Sequence, residues 1–292
     1  VVTVSSELRP RDTSPEPLSA RPEIRWSDLG RMPYGRAWAL QRALVEARKA
    51  GRGCDRLLLV EHDPVLTLGR RSNPAHILVG ADALAARGIR SYSVERGGDV
   101  TWHGPGQLVA YPILDLQGFR KDVRWYSGAL AEAALRCLAE FGIAAEAREG
   151  VETGVWVPLG PASEGESWGK IAALGLRIER WIAYHGIALN VDPALEDYDL
   201  IVACGLPGVR SISMAGVLGR SLTLDEVRPA FLRALARSLG AEMIAASAAE
   251  TEGLLELASE AEAGVVDERS TEIVGGRKPS TDPSSLLRAA GR

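Results

Sequence analysis

Cys204 stands in Ile201-Val202-Ala203-Cys204-Gly205-Leu206-Pro207-Gly208, where an apolar, strand-like run breaks against glycines. A cysteine at such a break can expose its sulfur at a sheet edge, with neighbouring backbone N–H groups open to the oxyanion of a tetrahedral intermediate. The competing reading is a small buried hydrophobe, the usual role of free cysteine. Lys170 opens Lys170-Ile171-Ala172-Ala173-Leu174-Gly175-Leu176, with no acidic residue between it and Glu166 and much apolar surface around it. Desolvation favours the neutral amine of a lysine, and such an amine can accept a thiol proton. Equally, a lysine at a strand end can reach out to water along its aliphatic stem.

The densest polar cluster is Arg96-Gly97-Gly98-Asp99-Val100-Thr101-Trp102-His103-Gly104-Pro105-Gly106-Gln107. Its glycines let a ligand approach the backbone, and its Arg, Thr, His and Gln side chains can orient one. A hairpin with turns at Gly97-Gly98 and Gly104-Gly106 would use the same residues. The spacing is neither a Walker A loop nor a dinucleotide fingerprint, so it gives no sign of nucleotide binding. His103 and His185 are alternative bases. The four histidines, His62, His76, His103 and His185, lack metal-ligand spacing, and Cys54, Cys137 and Cys204 lack zinc-site spacing, so no metal site is expected. Cys137 falls near a helical apolar stripe and reads as core, whereas Cys54 lies in a loop without a partner.

These groups must be positioned by a chain of 292 residues, 46% hydrophobic and 25% charged, which is a globular composition. A net charge of -4 argues against a nucleic-acid or anionic-membrane binder, because phosphate neutralisation requires a basic excess. Three cysteines in so long a chain make no disulfide framework and fit a reducing cytoplasm. No stretch approaches the roughly 20 apolar residues of a membrane helix, and the first residues do not form a signal peptide. Residues 1–22 and 246–292 read as flexible or disordered tails, the second poor in aromatic and aliphatic mass and expected to be dispensable for stability, although Leu254 to Ala263 could form a short amphipathic helix. Residues 23–245 then form one domain.

Inside that domain, Pro33–Ala50 and Val123–Phe141 have helical periodicity, the second ending at Gly142. Arg56–Glu61 reads as a strand, and Ala81–Arg87 as a brief helix feeding a strand at Ile89–Val94. Gly169–Ile178 and Trp181–Val191 read as a hairpin turning at Glu179-Arg180. Thr223 and Glu226 form a capping box for a helix through Leu239. This order predicts an α+β fold with a mixed, mostly antiparallel sheet flanked by helices, not a doubly wound parallel sheet.

Taken together, the Arg96–Gln107 cluster, Glu61–Arg70, Lys170–Gly175, Tyr184–Val191 and Ala203-Cys204-Gly205 occur in an order that resembles the lipoyl(octanoyl)transferase family over residues 24 to 240. The resemblance implies a fold like the biotin/lipoate-ligase catalytic domain and transfer of an octanoyl (lipoyl) group through a cysteine thioester, with no cofactor. It implies octanoyl-acyl carrier protein as donor. The implied acceptors are lipoyl domains of 2-oxoacid dehydrogenase E2 subunits and the glycine cleavage H protein. It places the catalytic roles on Cys204 and Lys170. The acyl pocket falls on Arg96, Gly97, Gly98, Asp99, Val100, Thr101, Trp102 and His103, on Ala173, Leu174 and Gly175, and on Gly186, Ile187 and Ala188. Asp99 stands where many relatives have Gln, Ala203 where Pro is common, and Val157–Trp168 forms an enlarged loop. Three alternatives stay open: an ATP-dependent ligase of the same fold, a non-catalytic lipoyl-binding module, and a hydrolase pairing Cys204 with His103 or His185.

Overall fold

The computed structural model describes residues 21–160 and 167–265. The expectations for residues 1–20, for the central part of the enlarged loop and for residues 266–292 fall outside the described residues.

A large sheet is built from β1 (Glu23–Met32), β2 (Arg56–His62), β6 (Gln107–Asp115), β7 (Glu146–Arg148), β8 (Gly154–Pro158), β9 (Trp168–Glu179), β10 (Ile182–Asn190), β11 (Arg210–Ser211) and β12 (Glu242–Ala245). Its order is β12-β1-β2-β6-β10-β9-β8-β7, with β11 beside β9. The β12–β1, β1–β2 and β11–β9 pairs are parallel and the others antiparallel. A smaller sheet has the order β4 (Arg90–Ser93), β3 (Val65–Leu68), β5 (Val100–His103). The architecture is therefore α+β with a mixed, mostly antiparallel sheet, as the pattern of the sequence predicts.

Strict alternation explains how the large sheet holds two cores. In β2, β6 and β10, Leu57, Leu59, Leu108, Ala110, Leu114, Ala183, Ile187 and Leu189 face a cluster completed by α3 (Val123–Glu140) and α5 (Leu224–Leu239). The intervening Leu58, Val60, Val109, Tyr111, Ile113, Ile182, Tyr184 and Ala188 face α1 (Tyr34–Lys49) and α6 (Ala248–Val265). Fully buried aliphatic side chains of this size each contribute roughly 1.5–3 kcal/mol, so the central strands are the most stabilised part of the chain. A third cluster, including Leu66, Leu84, Val100, Trp102 and Leu200, sits under the small sheet and α2 (Ala81–Ala86).

The predicted helices and their stops recur, including the Thr223–Glu226 capping box. Three expectations need correction. Residues 248–265 are not a disordered tail, because they form α6, whose Leu254 and Ala258 are buried against α1. The helix is started by a reciprocal cap: Glu250 N donates to Ser247 Oγ and Ser247 N to Glu250 Oε2. Second, the sheet has more strands than the periodicity marks, β1 and β6 among them. The four charged residues of β1 hide the pattern, and parallel pairing with both β2 and β12 supplies what its own sequence lacks. Third, the β9–β10 hairpin turns at Arg180-Trp181, both at positive φ (50° and 69°), one residue later than expected. Such a two-residue turn matches the twist of the flanking strands.

Candidate active site

Lys170 lies on β9, and its route to the site is set by a bulge. Val155 pairs with Ala172 and Trp156 with Lys170, so Ile171 has no partner on β8. Ile171 and Ala172 consequently both enter the α3/α5 core, and Lys170 lines the same cavity as Ala173 and Gly175. In an uninterrupted strand those odd spacings would put the side chains on opposite faces; a bulge re-aims them. The Lys170 side chain passes across Gly154, where a Cβ atom would lie 2.4 Å from Lys170 Cε. It ends with Nζ 3.3 Å from Cys204 Sγ and 5.3 Å from the centroid of the Trp156 ring. Lys170 is 5% exposed, so water does little to screen this arrangement.

Cys204 is not at a strand end. Its segment first zips to residues 76–78, through Leu78 N to Leu200 O (2.9 Å), Val202 N to His76 O (2.8 Å) and an Ile77–Ile201 bridge. It then closes into a single 3-10 turn, Ala203–Gly205, in which Cys204 itself has φ 58° and ψ 16°. Two of the adjacent amides are not open to an oxyanion, because Gly205 N and Leu206 N donate to Val202 O and Ala203 O. Asp99 lies beside the turn: its carboxylate accepts from Val100 N at 2.6 Å and lies 2.7 Å from the Nδ1 of His76, whose carbonyl accepts from Val202 N. Gly205 is required here, since φ is 70° and a Cβ would fall 2.5 Å from Asp99 Oδ2.

Cys204 and Lys170 open onto a cavity of about 240 Å³ between the two sheets. Of the residues expected at an acyl pocket, Arg96, Gly97, Gly98, Asp99, Thr101, His103, Ala173, Leu174, Gly175, Gly186, Ile187 and Ala188 line it. Val100 and Trp102 do not. They occupy the other face of β5, fully buried in the third cluster, because alternate residues of a strand point to opposite sides. The sequence reading did not include Tyr34, Val109, Tyr111, Val123 and Val151, which also line the cavity. For Val109 and Tyr111 the continuous apolar run of β6 marks burial on both faces without saying which face lines the cavity. Tyr34, at the first turn of α1, offered no signal.

The polar lining is largely committed to internal bonds. Arg96 donates to the Thr67 hydroxyl and carbonyl and to Gly97 O, and among the described residues it forms no ion pair with a carboxylate. Burial pushes its pKa below the usual arginine value, opposed by Tyr34 and Cys204 nearby; arginine nonetheless stays charged in proteins. His103 holds Gln107 Oε1 at 2.6 Å through Nδ1 and Thr67 Oγ1 at 3.4 Å through Nε2, and burial lowers its pKa to about 3. Burial also lowers the pKa of His185, whose Nε2 faces Glu95 at 3.6 Å. Both imidazoles are thus neutral at pH 7, and neither is paired with Cys204. Cys137, buried in α3, has its thiol pushed up to about 12, which leaves it inert as a nucleophile. Among the described residues no cluster of three or more His, Cys, Asp or Glu is arranged to hold a metal, and no helix is long and apolar enough to cross a membrane.

Residues 33–236 match the lipoyl protein ligase A/B catalytic domain. An octanoyltransferase of Acidobacterium capsulatum is 43% identical over 229 residues, covering 74% of this chain and 90% of its own length. An octanoyltransferase of Solibacter usitatus is 44% identical over 216 residues, covering 74% and 93%. Among solved structures, a bipartite lipoate protein ligase from Thermoplasma acidophilum aligns with a TM-score of 0.58 at 19% identity, over 82% of this chain and 93% of that one. At that identity the likeness is one of fold.

Proposed function

Because this chain belongs to the lipoyl protein ligase A/B catalytic-domain family and, within it, to the octanoyltransferases, we propose that it carries out octanoyl transfer through a thioester on Cys204. The donor is octanoyl-acyl carrier protein. The acceptor is a lysine of a lipoyl domain, as in 2-oxoacid dehydrogenase E2 subunits and the glycine cleavage H protein. The observation that carries the mechanism is the 3.3 Å contact between Lys170 Nζ and Cys204 Sγ at the cavity.

In the first half reaction the Cys204 sulfur attacks the carbonyl carbon of the donor thioester. A C–S bond to Cys204 forms, the bond to the carrier sulfur breaks, and that sulfur leaves as a thiol with a proton supplied from Lys170. In the second half, the acceptor amine attacks, the amide C–N bond forms, and the thiolate of Cys204 is released while Lys170 takes a proton from the amine. Thioester exchange is nearly balanced in free energy, so no nucleotide is consumed. Burial of the acyl chain between Ala173, Gly175 and Ala188 supplies about 0.8 kcal/mol per methylene.

The hydrolase reading lacks support, because His103 is held by Gln107 and Thr67, His185 Nε2 faces Glu95 at 3.6 Å, and neither imidazole pairs with the thiol. An ATP-dependent ligase shares the fold but has no need of a cysteine in contact with a lysine. Incubation with octanoyl-acyl carrier protein, without nucleotide, should therefore give an octanoyl adduct that peptide mass spectrometry locates on Cys204. Transfer that appears only with ATP, or release of free octanoate without acceptor modification, would overturn the proposal. A second expectation concerns the lysine: Lys170→Met should slow alkylation of Cys204 by iodoacetamide at pH 7 about tenfold, because the amine is the group that favours thiolate. An unchanged rate would remove Lys170 from the mechanism.

A further inference from the structure

We propose that Trp156 is a positioning residue for the reaction, its indole face holding the Lys170 ammonium against Cys204. This rests on the Cys204–Lys170 reading above. The two side chains come from directly paired positions of β8 and β9, so they rise from the same face of the sheet. The ammonium nitrogen lies 5.3 Å from the ring centroid, within the range where a cation is attracted to the negative face of an indole. Lys170 Nζ bonds Cys204 Sγ and faces this ring, and among the described residues it forms no ion pair with a carboxylate. A long, flexible side chain with one polar contact would sample several rotamers; the ring removes that freedom before substrate arrives.

Trp156 is itself unusually well fixed. It is 2% exposed, and its Nε1 donates to Glu152 O at 2.9 Å. The guanidinium of Arg148 stacks 5.0 Å from the Trp156 centroid and 4.6 Å from that of Trp168. Arg148 is in turn paired with Glu146 at 2.7 Å and Glu152 at 3.5 Å, which offsets its charge near the same ring. The outcome is a column running from Trp168 through Arg148 and Trp156 to the reacting amine. Gly154, two residues before Trp156, leaves the space through which the Lys170 stem reaches the end of the column.

A merely structural tryptophan would affect the melting temperature and little else, so the test removes the ring, shortens it, and alters its electronics at constant shape. Trp156→Leu should lower both kcat and the iodoacetamide rate of Cys204 roughly tenfold, with KM for octanoyl-acyl carrier protein unchanged, and Trp156→Phe should recover most of both. Tetrafluorotryptophan placed at position 156 keeps the shape while depleting the π face, and it should behave as Trp156→Leu does even if the leucine variant folds poorly. A fluorinated protein that reacts at the native rate overturns the proposal, as does equal loss in the Phe and Leu variants. In a Lys170→Met background the substitution at position 156 should have no further effect. If Lys170→Met itself alkylates normally, the Cys204–Lys170 reading fails as well; if it is slow while the fluorinated protein is native-like, only the role of Trp156 falls.

Discussion

Cys204→Ala and Cys204→Gly should both be inactive in octanoyl transfer, yet the glycine variant should melt higher than the alanine variant. Inactivity follows from the proposed thioester, since the other two cysteines are a buried thiol in α3 and Cys54, which has no hydrogen-bonded partner among the described residues. The difference in stability follows from the backbone. Cys204 sits at φ 58°, where any residue with a Cβ is strained by about 1 kcal/mol relative to glycine. Alanine retains that strain, whereas glycine releases it and gains some unfolded-state freedom in exchange. With part of the strain energy offset by that freedom, the net effect in a chain of this size should be a rise in melting temperature of about 1–2 °C over the alanine variant. Identical melting curves would mean that the turn carries no stored strain, and residual transfer by either variant would remove the covalent mechanism.

Truncation after residue 246 should cost roughly 3–5 kcal/mol, from the burial of Leu254, Ala258 and their partly buried neighbours, and lower the melting temperature by about 10 °C. The loss is distributed over one interface. Leu254 and Ala258 pack on α1, Arg25 pairs with Glu250 at 2.8 Å, and Arg36 donates to Leu255 O at 2.8 Å and also bonds the Ser259 hydroxyl. Because α1 begins at Tyr34, which lines the cavity, transfer activity should fall with temperature earlier in the truncated protein. A melting temperature within error of the full chain would show that α6 contributes nothing to the domain.

The contrast with the composition-based expectation for that segment is instructive. Leu254, Leu257, Ala258 and Ala261 are a thin apolar stripe, and a lone helix of this length is marginal in water. Its stability comes from the surface of α1, which no reading of residues 248–265 alone contains. The strands of the centre are the opposite case: Leu57–Val60 and Ile182–Leu189 are apolar on both faces, and their burial could be read directly. At the site, Cys204 and Lys170 were legible as residue types, and the Gly-rich cluster as a wall. Which half of that wall faces the cavity was set by the phase of β5, which buries Val100 and Trp102 and turns Thr101 and His103 inward. Asp99 was legible only as a cluster member. Its place beside the Cys204 turn depends on His76, which it bonds, and on Gly205, which leaves it room; both are far from it in sequence and are brought together by folding.

The unpaired Ile171 separates two stretches of one strand that would otherwise share a single parity. Upstream, the alternation places the amine; downstream, it places Ala173 and Gly175 on the cavity wall. With the skipped residue between them, the two stretches need not keep step. Point substitutions on either stretch leave that phase untouched. A repair of the irregularity by loss of one codon would instead swap inside for outside on one side of it. A defect in strand pairing thereby lets one strand turn both its amine and the Ala173–Gly175 stretch toward the same cavity.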